Sequence, residues 1–477
     1  MKSFYSNFAK LTIILGLLLT QVSYTQNVND ALRLGNTGLG ISARALGMGN
    51  SYIGLSDDAS AGYYNPAGLG LLKRMEFSGG IDYDKFNNST TFFGQKSNDS
   101  NSKTRLNRIS LALPFPTYQG SLVLGVSYHT TKDLTSALKF DGFNSGNTSM
   151  IQDLLNTDIP YDLFLTDTSN NTPINGSLNQ SGSILSSGSI NNWAFSGAVE
   201  IYKNVFVGVN LNVISGTYNS NNDYYEEDTH AIYQGETAAG EPQTRDFTTF
   251  YLSRNLDWDI SGWDAKVGIL FQMNKFARFG ATVQFPRYHT IKETFTVNGN
   301  SEFGTGTSYA LDQTKYSDQV KYDIVTPFEL GAGFSFNTAG LILSGEATLI
   351  DYSQMEFSKA EGLSTQYVAS LNKDINDLLG AVLNLNAGIE YTIPSFGLRI
   401  RGGFILLPSA YKNDPSEFDK KFFTAGIGFL TDQTIGIDIG YAHGWWKTFG
   451  DNYSSNVSRT YQDITTDRAI FGVTYRF

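Results

Sequence analysis

Val205-Phe206-Val207-Gly208-Val209-Asn210-Leu211-Asn212-Val213 is the stretch that decides the fold. Aliphatic residues hold the odd positions, and Phe206, Gly208, Asn210 and Asn212 the even ones. A period of two is the mark of a strand with two unlike faces. The pattern recurs. Ile435, Ile437, Ile439 and Tyr441 alternate with Gly436, Asp438, Gly440 and Ala442. Leu383, Leu385, Ala387, Ile389 and Tyr391 alternate with Asn384, Asn386, Gly388 and Glu390. Leu398, Ile400, Gly402, Phe404 and Leu406 alternate with Arg399, Arg401, Gly403 and Ile405. A soluble sandwich would turn the apolar face inward, whereas a transmembrane barrel turns it to lipid and lines its lumen with the other.

Connection lengths favour the barrel. Strands are expected near 75–84, 105–113, 121–131, 192–202, 205–218, 261–273, 277–286, 320–336, 340–352, 383–393, 397–407, 421–430, 434–446 and 467–477. Short joints such as Lys203-Asn204 and Pro394–Phe396 alternate with long ones such as Lys132–Asn191 and Asn219–Ile260. Short periplasmic turns alternating with long extracellular loops is the outer-membrane arrangement. The expectation is all-β: an antiparallel transmembrane barrel of about 14 strands. Residues 246–258 also alternate and are expected to extend a hairpin above the membrane. The chain ends on Phe471, Val473, Tyr475 and Phe477, alternating with Gly472, Thr474 and Arg476, as the last strands of outer-membrane proteins do. Trp193, Trp258, Trp263, Trp445 and Trp446 fall at or beyond the loop-side strand ends, where an interfacial aromatic girdle belongs.

Composition agrees. Among 477 residues there are 48 glycines, 14% aromatics and only 17% charged residues, against about 25% charged in ordinary soluble proteins. Lys2, Lys10, the apolar run Leu11–Leu19 and the small residues of Ser23-Tyr24-Thr25 form an export signal over residues 1–25. That run is too short to span a bilayer as a helix, which takes about 20 residues. A net charge of −11 offers no basic surface for nucleic acid. With no cysteine there is neither a disulfide framework nor a thiolate site. The four histidines fit no metal-ligand spacing, so no metal and no cofactor is expected. No nucleophile motif precedes a helix, and an enzyme is not expected.

Residues 26–74 are different: they show no period-two run and are rich in small residues. Asp30 is expected to cap one short helix, Asp57-Asp58 to start another, and Asn65-Pro66 a third, with Asn65 capping and Pro66 in the first helical position. Gly47-Met48-Gly49-Asn50, Ser56-Asp57-Asp58-Ala59-Ser60 and Tyr64-Asn65-Pro66-Ala67-Gly68-Leu69, at this spacing before the first strand, resemble the start of the FadL/TodX family. Those are outer-membrane transporters of long-chain fatty acids and aromatic hydrocarbons, with 14 strands. The resemblance implies that residues 26–74 form a hatch plugging the barrel formed by 75–477, with Asn65, Pro66 and Ala67 as its signature. It implies capture of a hydrophobic small molecule at the extracellular loops, without an energy source. Exit would be sideways, through a kink in an early strand near Gly120. Some relatives of this type look like accessory barrels of protein secretion or surface attachment, which would make secretion-system proteins the partners. Otherwise the partners are the substrate and the outer-membrane lipids, with the chain a monomer.

Alternation places Glu200, Glu329, Glu346, Glu390 and Asp438 in the lumen with Lys266, Arg399 and Arg401. Arg399 or Arg401 could meet a fatty-acid carboxylate. The other reading, favoured because acids and bases are both present, is a set of ion pairs pinning the hatch to the wall. Gly38-x-Gly40-x-x-Ala43 matches a dinucleotide fingerprint but lacks the βαβ unit that gives it meaning, and reads instead as close packing inside the barrel. The acidic run Tyr224-Tyr225-Glu226-Glu227-Asp228 suits either a calcium site or a solvated loop. On this phase Ile437→Arg should disturb assembly and Asp438→Arg should not.

Overall fold

The alternating strands close on themselves. The computed structural model describes residues 26–36, 38–234, 246–274, 276–394, 396–431 and 434–477; the export signal, residues 1–25, lies outside them. In chain order the strands are β1 (Glu76–Phe92), β2 (Gln95–Phe115), β3 (Leu122–Asp133), β4 (Ser136–Asn144), β5 (Leu178–Tyr202), β6 (Val205–Glu227) and β7 (Phe247–Met273). They continue with β8 (Ala277–Gln284), β9 (Tyr288–Phe303), β10 (Ser308–Ala310), β11 (Ser317–Val325), β12 (Glu329–Thr338) and β13 (Leu341–Asp351). The last are β14 (Glu356–Glu361), β15 (Ala381–Ile393), β16 (Leu398–Leu407), β17 (Lys420–Thr431), β18 (Ile435–Asp451) and β19 (Arg459–Arg476).

Fourteen of these form the barrel. β1, β2, β3, β5, β6, β7 and β8 pair antiparallel in turn; β8 pairs with β12, and β12, β13, β15, β16, β17, β18 and β19 follow. The seam is β1 against β19, from Glu76↔Arg476 to Thr91↔Tyr461. Each barrel strand overlaps one expected from the sequence, β12 only the second half of the expected 320–336. Closure satisfies every ladder without a free edge, as lipid demands.

The outer face carries the residues assigned to lipid. Val209, Leu211 and Val213 are 49–56% exposed and Ile435, Ile437 and Ile439 are 41–45% exposed, while the alternate Asn210 and Asn212 are buried. Ile437→Arg is therefore expected to cost roughly 2–4 kcal/mol near the midplane. The readout is folding into bilayers, followed by the heat-dependent mobility shift of folded barrels on gels. An unchanged folded fraction would contradict the outward placement of this face.

Above the membrane the strands run on. β5, β6 and β7 reach 25, 23 and 27 residues, so the alternating stretch 246–258 extends the β6–β7 hairpin above the membrane, as expected, in one continuous strand with the wall below. β4 pairs with upper β5, β9 with upper β7, and β11 with β9 and β14. The expected strand 320–336 is two strands, because Pro327 cannot donate to a ladder. Pro286 separates β8 from β9 in the same way, and a short 3-10 turn, Tyr352–Gln354, separates β13 from β14. Three consecutive wall strands are thus interrupted at one level.

The girdle is only partly as expected. Trp193 and Trp263 are more than half exposed; Trp193 packs at a tilt on Tyr128 and Trp263 stacks on Tyr288. Trp445 packs on the exposed Phe423. Trp258, at 1% exposure, lies in the lumen beneath the loops, and Trp446 also faces inward, onto Phe422 and Lys420. Both sit on the inner phase of their strands.

Candidate functional site: the plugged lumen

The N-terminal segment enters the barrel as short helical pieces: α1 (Val28–Gly35), α2 (Ala43–Gly47), α3 (Ala61–Tyr64) and a 3-10 turn at Pro66–Leu71. α1 starts two residues before the expected cap. Asn27 caps it, and Asp30 closes a capping box from the third helical position. Asp58 lies before α3 and accepts from Ser60 N at 2.8 Å. Asn65 caps as expected, taking Ala67 N at 3.1 Å, with Pro66 opening the turn. Its amide also donates to Ile53 O at 3.0 Å and to the wall carbonyl of Ile269 at 3.1 Å. The motif therefore ties two parts of the plug and the wall together.

Close approach is what the small residues permit. At inward-facing Gly208 a side chain would run into Pro66 and Ala67, and at Gly268 into Asn65. A Cβ on Gly54 would lie 2.6 Å from Phe334 Cα, and one on Gly47 would lie 3.0 Å from Gly426 Cα. Plug glycines and wall glycines face each other so that backbones touch. Gly38 lies against the Thr131 carbonyl, as the packing reading of that glycine pair expected.

Ion pairs and hydrogen bonds hold the plug. Arg44 in α2 bonds both Glu390 oxygens at 2.9 Å. Arg401 donates to the same Glu390 at 2.6 Å and pairs with Asp438 at 2.7 Å. Glu346 accepts Tyr52 N and Ile53 N, each at 2.8 Å, and Lys266 donates to Tyr63 O at 2.6 Å. Arg278 reaches Asp57 at 3.0 Å. Arg399, on the same face as Arg401, has no ion pair among the described residues. Asp438→Arg would set two guanidinium groups together, so Asp438→Asn is the sounder control for Ile437→Arg.

Higher in the lumen, α1 fills the space. Val28, Ala31, Leu32 and Leu34 pack with Ile214, Trp258, Ile291, Tyr322 and Ile350. The loop helix α4 (Thr365–Leu378), absent from the sequence reading, closes over this cluster with Leu371 and Ile375. Between α1 and the plug lies a cavity of about 150 Å³, lined by Asn192, Asn210, Lys266 and Arg287 among others. A second of about 350 Å³ opens beside α1, against Leu407, Phe418 and Trp446.

The wall is broken at one place. β2 pairs with β3 from Phe115↔Leu122 only to Arg108↔His129. Beyond that, β3 bulges at Thr130/Lys132 and turns inward, where Lys132 Nζ bonds Arg33 O at 2.7 Å and Asn36 O at 2.9 Å. An Arg105–Asp133 pair at 2.7 Å spans the separated strands. The inward turn falls in the strand after Gly120. Pro114 still has a register partner in Val123 and belongs to the end of β2.

The loops fold into a lid with its own core. Phe92, Phe140, Leu163, Phe247, Phe250 and Tyr453 meet there. Glu226 is buried in it, accepting from Met150 N at 2.7 Å, Gln180 Nε2 at 2.8 Å and Tyr224 Oη at 3.0 Å. It belongs to that core and not to an open acidic loop, and no metal-holding cluster occurs among the described residues. Burial pushes the Glu226 carboxyl up to about 7. Between its ordinary 4.5 and 7 the folded lid holds more protons than the unfolded chain, so its stability falls as pH rises through that window. The lid is expected to melt at a lower temperature at pH 8 than at pH 5, followed by near-ultraviolet circular dichroism. Glu226→Gln should flatten that dependence.

A closed barrel with an apolar outer band and a lumen occupied by its own N-terminal segment defines a plugged transmembrane barrel of the outer-membrane type. More particularly, the fold is that of the FadL/TodX channels. The toluene transporter TodX of Pseudomonas putida matches with a TM-score of 0.58 at 12% identity, over 92% of this chain and 99% of that one. A FadL homologue of Pseudomonas aeruginosa matches at 0.57 and 12% identity, over 93% and 98%. CymD, a monoaromatic hydrocarbon channel, matches at 0.52 and 14% identity, over 92% and 98%. No family model and no curated protein matches the sequence.

Proposed function

We propose that this chain is a passive outer-membrane channel for hydrophobic small molecules, long-chain fatty acids or aromatic hydrocarbons. They would be captured at the extracellular lid and released through the barrel or sideways into the membrane. The observation that carries this reading is the break between β2 and β3, where β3 loses β2, bulges at Thr130/Lys132 toward the plug and stays paired only with β5. Release at that point spares an apolar solute a return to water, about 0.8 kcal/mol for each CH₂. Solved channels of this fold include toluene and monoaromatic hydrocarbon carriers, which supports the substrate class. In this reading residues 26–74 are the hatch and Asn65, Pro66 and Ala67 its joint to the wall. Arg401, Glu390 and Glu346 anchor it and are not the carboxylate site. Arg399, without an ion pair among the described residues, is the remaining candidate for meeting an acid.

The test is labelled oleate uptake in a Gram-negative host lacking its own transporter, comparing the full chain with one lacking residues 27–74. Both are first shown to be folded in the outer membrane. Uptake by the full chain, altered by the deletion, is the expected result. A folded full chain that carries neither oleate nor toluene would overturn the reading. The folded lid keeps a second reading in view, an accessory barrel of a secretion or surface-attachment system. That barrel would copurify with partner proteins and carry no lipid.

A further inference from the structure

Where strands of the lid lose a neighbour, the chain covers the bared edge itself. On β14, Asn372 of α4 accepts from Phe357 N at 2.8 Å and donates to Phe357 O at 2.9 Å, an amide standing in for a missing strand. On upper β18, Lys447 N donates to the loop carbonyl of Glu417 at 2.9 Å. β2 is different. It pairs with β1 from Gln95 to Ala112 but with β3 only from Phe115 to Arg108, so residues 95–107 have no strand on their second edge among the described residues.

Hairpin geometry says which groups point there. β1 and β2 join through Phe93-Gly94, both with positive φ, 43° and 81°. In such a two-residue turn the flanking pair, Phe92 and Gln95, exchanges both hydrogen bonds, and every second residue from there does the same. Lys96, Asn98, Ser100, Ser102 and Thr104 therefore turn N–H and C=O to the free side, and their side chains are exposed. Leu106 keeps this phase, since its carbonyl accepts Thr130 Oγ1 at 3.3 Å from the β3 side. Ser100 N is capped locally by Asp99 Oδ1 at 2.8 Å. Edges are commonly blunted by a proline or a bulge. Residues 95–106 contain no proline, and the β1–β2 register is regular above its shift at Gly80/Ile81.

A row of alternating donors and acceptors is completed by an extended peptide. A second copy does not fit. The same edge of two identical strands pairs antiparallel, which would set the two barrels head to head and not side by side in one membrane. An apolar strand would leave its outward side chains in water beside Asn98, Ser100, Ser102 and Thr104, whereas hydroxyl-bearing residues pair with these across strands. Lys96 and Lys103 lie toward the two ends of the row and have no ion pair among the described residues. They repel a basic neighbour and favour an acidic one. We propose that the upper edge of β2 is a docking site for an extended segment of another protein, rich in serine and threonine and acidic toward its ends, added to the lid as a further strand.

The experiment uses the full chain in nanodiscs and a fluorescent undecapeptide of alternating serine and threonine with an aspartate near each end. Binding is followed by anisotropy. Two control peptides carry either two consecutive prolines at the centre, which removes donors of both phases, or lysine in place of aspartate. Each control is expected to bind roughly 10-fold more weakly than the parent peptide. On the protein, Ser102→Pro removes one free-edge N–H and leaves the β1 ladder whole, as edge prolines do. It should weaken binding roughly 10-fold, and Ser102→Ala, which keeps the N–H, by less than about 3-fold. Both variants are first shown to be folded by gel mobility. No binding at millimolar peptide, equal binding of the three peptides, or wild-type binding by Ser102→Pro would each overturn the inference. The channel reading stands apart from all of these results, because oleate uptake tests it separately.

Discussion

Gly403→Val is expected to drive the plug out of the lumen while the barrel still closes. Gly403 faces inward from β16, and a Cβ there would lie 2.6 Å from the Met48 carbonyl carbon and 2.7 Å from Gly49 Cα. Those are backbone atoms, so no side-chain rotation relieves the overlap. Overpacking of this kind usually costs 1–3 kcal/mol and more where nothing can move. Its neighbour Gly402 is the control. It points to lipid, where a Cβ meets nothing closer than Ile389 Cγ2 at 3.7 Å. Single-channel conductance should rise for Gly403→Val and stay at the resting level for Gly402→Val, and the N-terminal segment should become open to protease only in the former. Equal behaviour of the two would mean that the plug is not held by backbone contact with β16.

Glu390→Gln is expected to be the most damaging single loss of charge. Glu390 is 1% exposed and lies between Arg44 of the plug and Arg401 of the wall. Removing one member of a buried ion pair typically costs about 3–5 kcal/mol, because the remaining charge is left buried. Here Arg401 keeps Asp438 and Arg44 keeps Asp57, so the lower end of that range is expected. Glu346→Gln gives the contrast. A glutamine oxygen can still accept Tyr52 N and Ile53 N, and a loss of about 1 kcal/mol is expected. The readout is the urea midpoint of plug release, followed by proteolysis of the N-terminal segment. If Glu390→Gln were as mild as Glu346→Gln, the Arg44 bridge would not be what retains the plug.

The wall was legible in the sequence because lipid imposes one rule on every spanning strand, and a period of two needs no knowledge of partners. The same alternation set Gly208, Gly388, Gly403 and Gly440 on the lumen phase, where the structure finds the plug's backbone against them. Side-chain-free positions repeated on the inner face were thus a signal that something solid fills the barrel. The inward turn of β3 was not legible. Thr130-Thr131-Lys132 contains neither proline nor glycine, and what meets it there, Gly38 and the carbonyls of Arg33 and Asn36, lies about a hundred positions away. Nor, apart from the alternating stretch 246–258, were the upper strands or the place of Trp258, since loop residues packing on one another follow no lipid-imposed period.

The interruptions at 285–287, 326–328 and 352–355 have a mechanical consequence. Below them β8, β12 and β13 belong to the cylinder; above them β9, β11 and β14 belong to the lid. Where β8–β12 gives way to β9–β11, the junction is held by few bonds, among them Thr326 N to Arg287 O and Arg287 N to Thr326 Oγ1, each 3.0 Å. On the opposite flank β5, β6 and β7 cross the same level unbroken. A load on the lid would therefore be borne stiffly on one side and yield on the other. The upper sheet is a flap with one clamped edge, and the line along which it bends runs through the wall of the cavity beneath α1, between Gln284 and His289.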